Sequence, residues 1–257
     1  MRCPDEFLTF AGRLAEASGP VIRRYFRTPV SVEDKADASP VTIADRESEL
    51  ALRALIESEF PDHGIVGEEH GASRPGASYQ WIIDPIDGTK AFITGKPMFG
   101  TLVALLRDGE PILGLIDQPV SGERWLGAAG HVTTFNGKPA RVRACPELAK
   151  AVVNSTDPDM FRKPGADRFW QVASVSKLML WGGDCYAYGL LALGHIDLVI
   201  EYGLKLHDLA ALVPVIQGAG GAMTDWKCKP LNAASQGDVI AAGDERTLRQ
   251  ALDRLAA

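Results

Sequence analysis

Apolar residues recur with a helical period over the first 26 positions. Phe7, Leu8, Ala11, Leu14 and Ala15 fall on one face, and Val21, Ile22, Tyr25 and Phe26 continue the stripe past Gly19-Pro20. Proline lacks an amide proton, so Gly19-Pro20 is expected to kink or break this helix. A second helix is predicted over 42–59, with Ile43, Leu50, Ala51, Ala54 and Leu55 on one side and Pro61 beyond its end. The apolar runs then shorten: 63–67, 81–83, 100–107, 111–117, 123–126 and 132–135 read as strands. Asp108-Gly109 and Asn136-Gly137 are turn dipeptides of the kind that join antiparallel strands. The first half therefore reads as helices packed on a mostly antiparallel sheet.

From about residue 145 the pattern alternates. Strands are predicted at 151–154, 196–200, 222–225 and 239–241, and helices at 184–193, 207–217 and 244–255, with Gly218 and Gly220-Gly221 closing the second. Such alternation predicts a second, α/β sheet. The expected division is 1–144, carrying most of the candidate site, and 145–257. No Pro-, Gly- or Ser-rich linker separates them, so a broad shared interface is expected, where pockets commonly form.

Composition narrows the function. The 257 residues are 46% hydrophobic and 23% charged, ordinary for a globular protein. The formal charge of −6 argues against non-specific binding to nucleic acid or anionic membrane. No apolar run approaches the ~20 residues of a membrane span, and the charged first 19 residues do not read as a secretory signal. Cys3, Cys145, Cys185 and Cys228 are far apart and form no C-x-x-C pair, so neither a zinc cluster nor a disulfide framework is expected. The cytoplasm is the expected compartment, and the sequon at Asn154 is read as chance.

The candidate chemistry lies in acids at strand exits. In Trp81-Ile82-Ile83-Asp84-Pro85-Ile86-Asp87-Gly88-Thr89, an apolar strand runs into a polar turn bearing two carboxylates three residues apart. Rigid carboxylates with a free carbonyl suit a hard divalent cation, and Gly88 and Thr89 can offer amides to a phosphate. The same string also fits a plain Asx turn. Glu68 and Glu69 follow another short strand. Asp208 opens an apolar helix, where it serves equally as a cap, and Thr42-x-x-Asp45 reads as a capping box.

As an ordered set spanning nearly the whole chain, these segments resemble the inositol monophosphatase superfamily of metal-dependent phosphatases. The resemblance implies a layered αβαβα sandwich of mixed α and β structure. It implies metal ligation by Glu68, Asp84, the Ile86 carbonyl, Asp87 and Asp208, with two or three Mg²⁺ ions and Mn²⁺ as a substitute. Gly88 and Thr89 would bind phosphate, Asp45 would orient Thr89 towards the attacking water, and Glu69 would share the catalytic work. The family also leads one to expect a homodimer. Metal ions suit the chemistry, because a phosphate dianion repels an incoming hydroxide. His63, His70, His131, His195 and His207 show no metal-binding spacing, and no P-loop is present. One departure is His207, which stands where the family usually has an aromatic residue.

Within the superfamily, 87–101, 156–161 and 181–189 look most like histidinol-phosphate phosphatases, which carry Asp-Cys-Tyr as at Asp184-Cys185-Tyr186. The expected substrate is L-histidinol phosphate, hydrolysed to L-histidinol and phosphate in histidine biosynthesis. Its ammonium and imidazole call for acids outside the metal cluster, for which Asp184 and Glu201 are candidates, with Tyr186 as a wall. Asp184 also reads as a helix cap. The competing readings are a phosphatase for inositol 1-phosphate or 3′-phosphoadenosine 5′-phosphate, and a non-catalytic phosphate-binding regulator.

Overall fold

The computed structural model describes residues 2–34 and 40–256. Helix α1 (Asp5–Tyr25) is followed by the small hairpin β1 (Val32–Asp34) and β2 (Pro40–Thr42), then α2 (Ile43–Glu59). Next come β3 (Gly64–Gly67), β4 (Gly71–Ser73), β5 (Tyr79–Asp87) and the short α3 (Thr89–Ile93). The meander β6 (Gly100–Arg107), β7 (Glu110–Gln118), β8 (Glu123–Ala128), β9 (Thr134–Phe135) and β10 (Lys138–Pro139) completes an eight-stranded sheet. Its order is β10-β9-β8-β7-β6-β5-β3-β4, antiparallel except for the β3–β5 pair. Asp108-Gly109 and Asn136-Gly137 turn as predicted, all four with positive φ.

The remainder contains β11 (Val152–Ser155), α4 (Phe169–Ala173), β12 (Leu178–Trp181), α5 (Asp184–Ala192) and β13 (Leu198–Glu201). Then follow α6 (Leu206–Leu209), α7 (Leu212–Gly218), β14 (Ala222–Thr224), β15 (Val239–Ala242) and α8 (Glu245–Ala256). The five strands form a mixed sheet of order β12-β11-β13-β15-β14.

Strand periodicity builds the layers. Trp81, Ile83, Val103 and Leu105 point to one face of the large sheet and pack on Phe10 and Leu14 of α1 and Leu52 and Ile56 of α2. Ile82, Leu102, Ala104 and Ile116 point the other way, into a middle layer with Tyr188, Leu191, Leu212 and Val215 from α5 and α7. Val199, Val239 and Ala241 of the second sheet close that layer. On the second sheet's far face, Leu198, Ile200 and Ile240 meet Phe169 of α4 and Leu248 and Ala251 of α8. The result is the expected αβαβα sandwich, with β5 and β6 buried on both faces.

Two helices differ from expectation at a proline. Helix α1 is not broken at Pro20. Pro20 and Glu16 are exposed, so the carbonyl that loses its donor faces solvent. The single helix predicted over 207–217 is instead two, α6 and α7. Pro214 cannot donate to the Ala210 carbonyl, and both residues are buried. Strands β1, β2, β4, β10 and β12 were not foreseen. Among the described residues, no helix is long and apolar enough to cross a membrane.

The turn after β3 rests on a buried ion pair from α2. Glu49 is fully buried and accepts from Arg53 Nε (2.7 Å), the Glu69 amide (2.7 Å) and the His70 amide (3.1 Å). Arg53 in turn donates to the Gly71 carbonyl. Gly67 has no alternative here, since a Cβ on it would collide with the Glu49 carboxylate. Glu49→Ala is expected to cost about 3–5 kcal/mol, because it strands a buried guanidinium and two amides. Denaturant unfolding of the variant measures this, and a loss below about 1 kcal/mol would mean the pair behaves like a surface one.

Candidate active site

Residues three apart on a regular strand face opposite ways, so Asp84 and Asp87 could not share a site on an ideal β5. A bulge resolves this. Asp84 pairs with Leu102 and Asp87 with Gly100, so β5 carries one extra residue between the two pairings. Thr101 Oγ1 donates to the Pro85 carbonyl within the bulge (2.8 Å), and Ile86 is buried with Phe92 and Phe99. Each carboxylate is then fixed by one backbone amide: Asp84 Oδ1 by Ile86 N (3.1 Å) and Asp87 Oδ2 by Cys185 N at the start of α5 (2.6 Å).

Asp208 arrives from α6, with Oδ2 accepting from the Lys205 amide (2.7 Å). That oxygen completes a capping box with Lys205 at the N-cap, and the carboxylate also lies in the acidic cluster. One donor atom each from Asp84, Asp87 and Asp208 lie within 4.8 Å of one another. A second group, Glu68, Asp84 and His207, meets the same limit. Glu68 is thus brought to Asp84 as expected, and His207 joins although its spacing gave no signal. Glu69 is in neither group; its amide is held by Glu49, and its charge acts on Arg46.

Asp45 is 1% exposed, and its Oδ2 accepts from the Thr42 amide (2.9 Å) and hydroxyl (2.6 Å), a true capping box. Its Oδ1 is buried without a partner. The expected hydrogen bond to Thr89 is not formed: Thr89 Oγ1 donates to the Ile86 carbonyl (3.1 Å). Gly88 has φ +92°, and a Cβ there would lie 3.1 Å from the Asp184 carboxylate and from Phe99. The residue after the second Asp must therefore be glycine for two reasons, backbone sign and space.

Gly183 occupies the N-cap of α5, and Asp184 follows it with φ +44°. Asp184 lies between two cavities. One, of about 170 Å³, is bounded by Asp87, Asp208, Tyr188 and Glu201. The other, of about 480 Å³, is bounded by Lys90, Asp157, Trp181 and Met98. Glu201 ends β13 and is 3% exposed; Oε1 accepts from Thr156 N (3.1 Å) and its hydroxyl, and Oε2 from Tyr188 OH (2.9 Å). Tyr186 is not a wall of either cavity. Two residues along a helix is about 200° of rotation from Asp184, and its hydroxyl donates to Glu123 Oε2 (2.8 Å) beside Trp125. Tyr188, one turn from Asp184, takes that place. A separate concavity of about 720 Å³ at Arg168 and Trp226 contains none of these acids.

Burial dominates the electrostatics. It lifts Asp84 well above the usual carboxylate range, and the charges of Glu68, Asp87 and Asp208 push the same way. Asp87 is raised likewise by burial and by Asp184 and Asp208, against the opposing hydrogen bonds from Cys185. Asp208 and Asp45 are raised by burial. Burial pushes Asp184 to about 6 despite Lys90, and Glu201 to about 7 despite its bonds to Thr156 and Tyr188. Such a donor set, all oxygen except for one imidazole, fits divalent cations, whose charge would offset this repulsion.

The layered sandwich with a carboxylate cluster at its seam is the architecture of a metal-assisted phosphatase. The family model "Inositol monophosphatase family" matches residues 4–256, and the chain belongs to that family of metal-dependent phosphatases. It is 49% identical to "Bifunctional phosphatase IMPL2, chloroplastic" of Arabidopsis thaliana over an alignment of 260 residues, covering 98% of this chain and 75% of that protein. It is 35% identical to "Histidinol-phosphatase" of Chlorobaculum parvum, covering 87% of this chain and 86% of the relative. An inositol monophosphatase structure from Zymomonas mobilis superposes with a TM-score of 0.91 at 49% identity over 98% of both chains.

Buried acids titrate late, which fixes the sign of the metal-free stability. Unfolded, Asp184 and Glu201 lose their protons near pH 4; folded, they do so at about 6 and about 7. The unfolded chain therefore binds fewer protons between about pH 4 and 7, and stability falls as pH rises through that window. The metal-free protein is expected to melt lower at pH 8 than at pH 5.5, and Glu201→Gln to reduce the difference. Melting curves at the two pH values check this; an unchanged difference in the variant would exclude Glu201 as a source.

Proposed function

We propose that the chain is a Mg²⁺-dependent phosphomonoesterase whose substrate is L-histidinol phosphate. The observation that carries the substrate is the pair of acids outside the cation cluster, half-buried Asp184 and buried Glu201, bordering one cavity with Asp87 and Asp208. An ammonium or imidazolium group gains there what a neutral polyol would not. Relatives named histidinol-phosphatase support the same reading. The likeness to the inositol monophosphatase of Zymomonas mobilis supports inositol phosphate as the competing substrate. Metal-facing roles go to Glu68, Asp84, the Ile86 carbonyl, Asp87 and Asp208.

Bound cations would neutralise the phosphate and lower the pKa of water, so that attack proceeds at neutral pH. The chain supplies the rest. The free amides at the start of α3, at Gly88 and Thr89, orient the non-bridging phosphate oxygens. Thr89 Oγ1, if turned from the Ile86 carbonyl to the unpartnered Asp45 Oδ1, would orient the attacking water. Water adds at phosphorus as the ester P–O bond breaks; one of its protons passes to the leaving alkoxide to give the alcohol, and the other stays with the released phosphate. Asp184 holds the alcohol's cationic end, and Glu201, tied to Thr156 and Tyr188, fixes the cavity floor.

Asp84→Asn and Asp87→Asn each remove one ligand charge and keep the shape. Turnover should fall on the order of 10³-fold or more with the melting temperature retained, and a chelator should abolish wild-type activity until Mg²⁺ is restored. Full turnover in metal-free buffer would defeat the metal assignment.

Phosphate release should show kcat/KM for L-histidinol phosphate well above that for inositol 1-phosphate. Asp184→Asn should raise KM for histidinol phosphate and spare an aryl phosphate. Equal losses on both substrates would make Asp184 structural, and a wild-type preference for inositol 1-phosphate would overturn the substrate but not the chemistry.

A further inference from the structure

His207 precedes Asp208 on α6, and its side chain is only 13% exposed. Its Nε2 lies 3.4 Å from Asp208 Oδ1 and 3.9 Å from Glu68 Oε1. Both separations exceed a normal N–H···O bond, so the imidazole is aimed between two carboxylates without being bonded to either. With Glu68 and Asp84 it offers three donor atoms, all within 4.8 Å of one another. Ligands about 2.1 Å from an octahedral cation stand about 3 Å apart in cis and about 4.2 Å apart in trans. Small side-chain rotations therefore bring all three onto one ion. Asp84 belongs to both donor groups, which makes this position a neighbour of the all-carboxylate one formed with Asp87 and Asp208.

We propose that His207 is a ligand of the cation held by Glu68 and Asp84, so that this position is a mixed nitrogen–oxygen site. Magnesium prefers oxygen alone and gains little from an imidazole, whereas first-row transition ions accept it readily. The two neighbouring positions then differ in preference: the carboxylate position takes Mg²⁺, and the His207 position favours ions such as Co²⁺ or Ni²⁺. The alternative is that His207 serves only as a counter-charge for Asp208 and Glu68. The proposal rests on the metal-phosphatase reading, and binding measurements separate the two.

The test uses the full chain stripped of metal, wild type and His207→Phe, titrated calorimetrically with Mg²⁺ and with Co²⁺. The expected result is a Co²⁺ affinity at one site that falls roughly tenfold or more in the variant, with Mg²⁺ affinity changed by less than about threefold. Pulsed EPR of the Mn²⁺-loaded wild type should show a nitrogen coupling that His207→Phe removes. Equal affinities in the two proteins, a parallel loss of both ions, or a nitrogen-free wild-type spectrum overturns the proposal. Should His207→Phe fail to fold, His207→Gln replaces it, and the wild-type spectrum stands without either variant. Failure of the wild type to bind any of the three ions would defeat the metal reading itself; binding without nitrogen defeats only the role of His207.

Discussion

Mutual repulsion among Glu68, Asp84, Asp87 and Asp208 is the constraint that the active end of this protein must meet. Collecting buried carboxylates is unfavourable twice, through lost hydration and through like charge. The fold answers with rigidity supplied by backbone amides, two of them local and one from a distant helix. Ile86 N holds Asp84, Cys185 N holds Asp87, and Lys205 N holds Asp208. Each of these bonds occupies one carboxylate oxygen and leaves another to converge. Glu68 is governed differently, through a turn whose amides at Glu69 and His70 are gripped by Glu49. Because these anchors lie on α2, β5, α5 and α6, the cluster forms only where the layers meet.

That dependence explains why the site sits at the seam. Helix α5 packs between the two sheets, and its first turn reaches Asp87 with an amide while presenting Asp184 to the neighbouring cavity. Helix α6 lies against β5 and β6. Small movements of either layer would separate the carboxylates, so the middle core around Tyr188, Leu212 and Val215 is also the support of the chemistry.

Much of this was legible in the residue pattern, and the failures have physical causes. The apolar strand ending in Asp84-Pro85-Ile86-Asp87-Gly88, the capping box at Thr42 and Asp45, and both D-G and N-G turns are local features, and local sequence encodes them. Helix α1 runs unbroken past Pro20 and the helix expected over 207–217 divides near Pro214, because the effect of a proline depends on whether the orphaned carbonyl faces water, a tertiary fact. Tyr186 was placed by proximity in sequence to Asp184, whereas helical phase puts Tyr188 at the cavity. Glu49 carried no signal in the sequence; it is fully buried because Glu69 and His70 reach it only when β3 docks on α2. His207 escaped detection because its nearest acids, apart from Asp208, lie more than a hundred positions away.

Asp184 is held in a strained and electrostatically costly state that the carboxylate cluster does not itself require. An L-residue with φ +44° costs roughly 1–2 kcal/mol over an ordinary helical conformation, and burial adds the expense of a carboxyl pushed to about 6. Glycine or asparagine would relieve much of that strain, and alanine would remove the charge. Strain of this kind persists where the surrounding structure over-determines it. Here the surroundings are Gly88, which leaves just enough room for the carboxylate, and Lys90, which offsets part of its charge. The carboxylate cluster needs neither residue at Asp184 to be acidic nor its backbone to be strained. On the proposed function, the position answers to the part of the substrate that the cations do not touch.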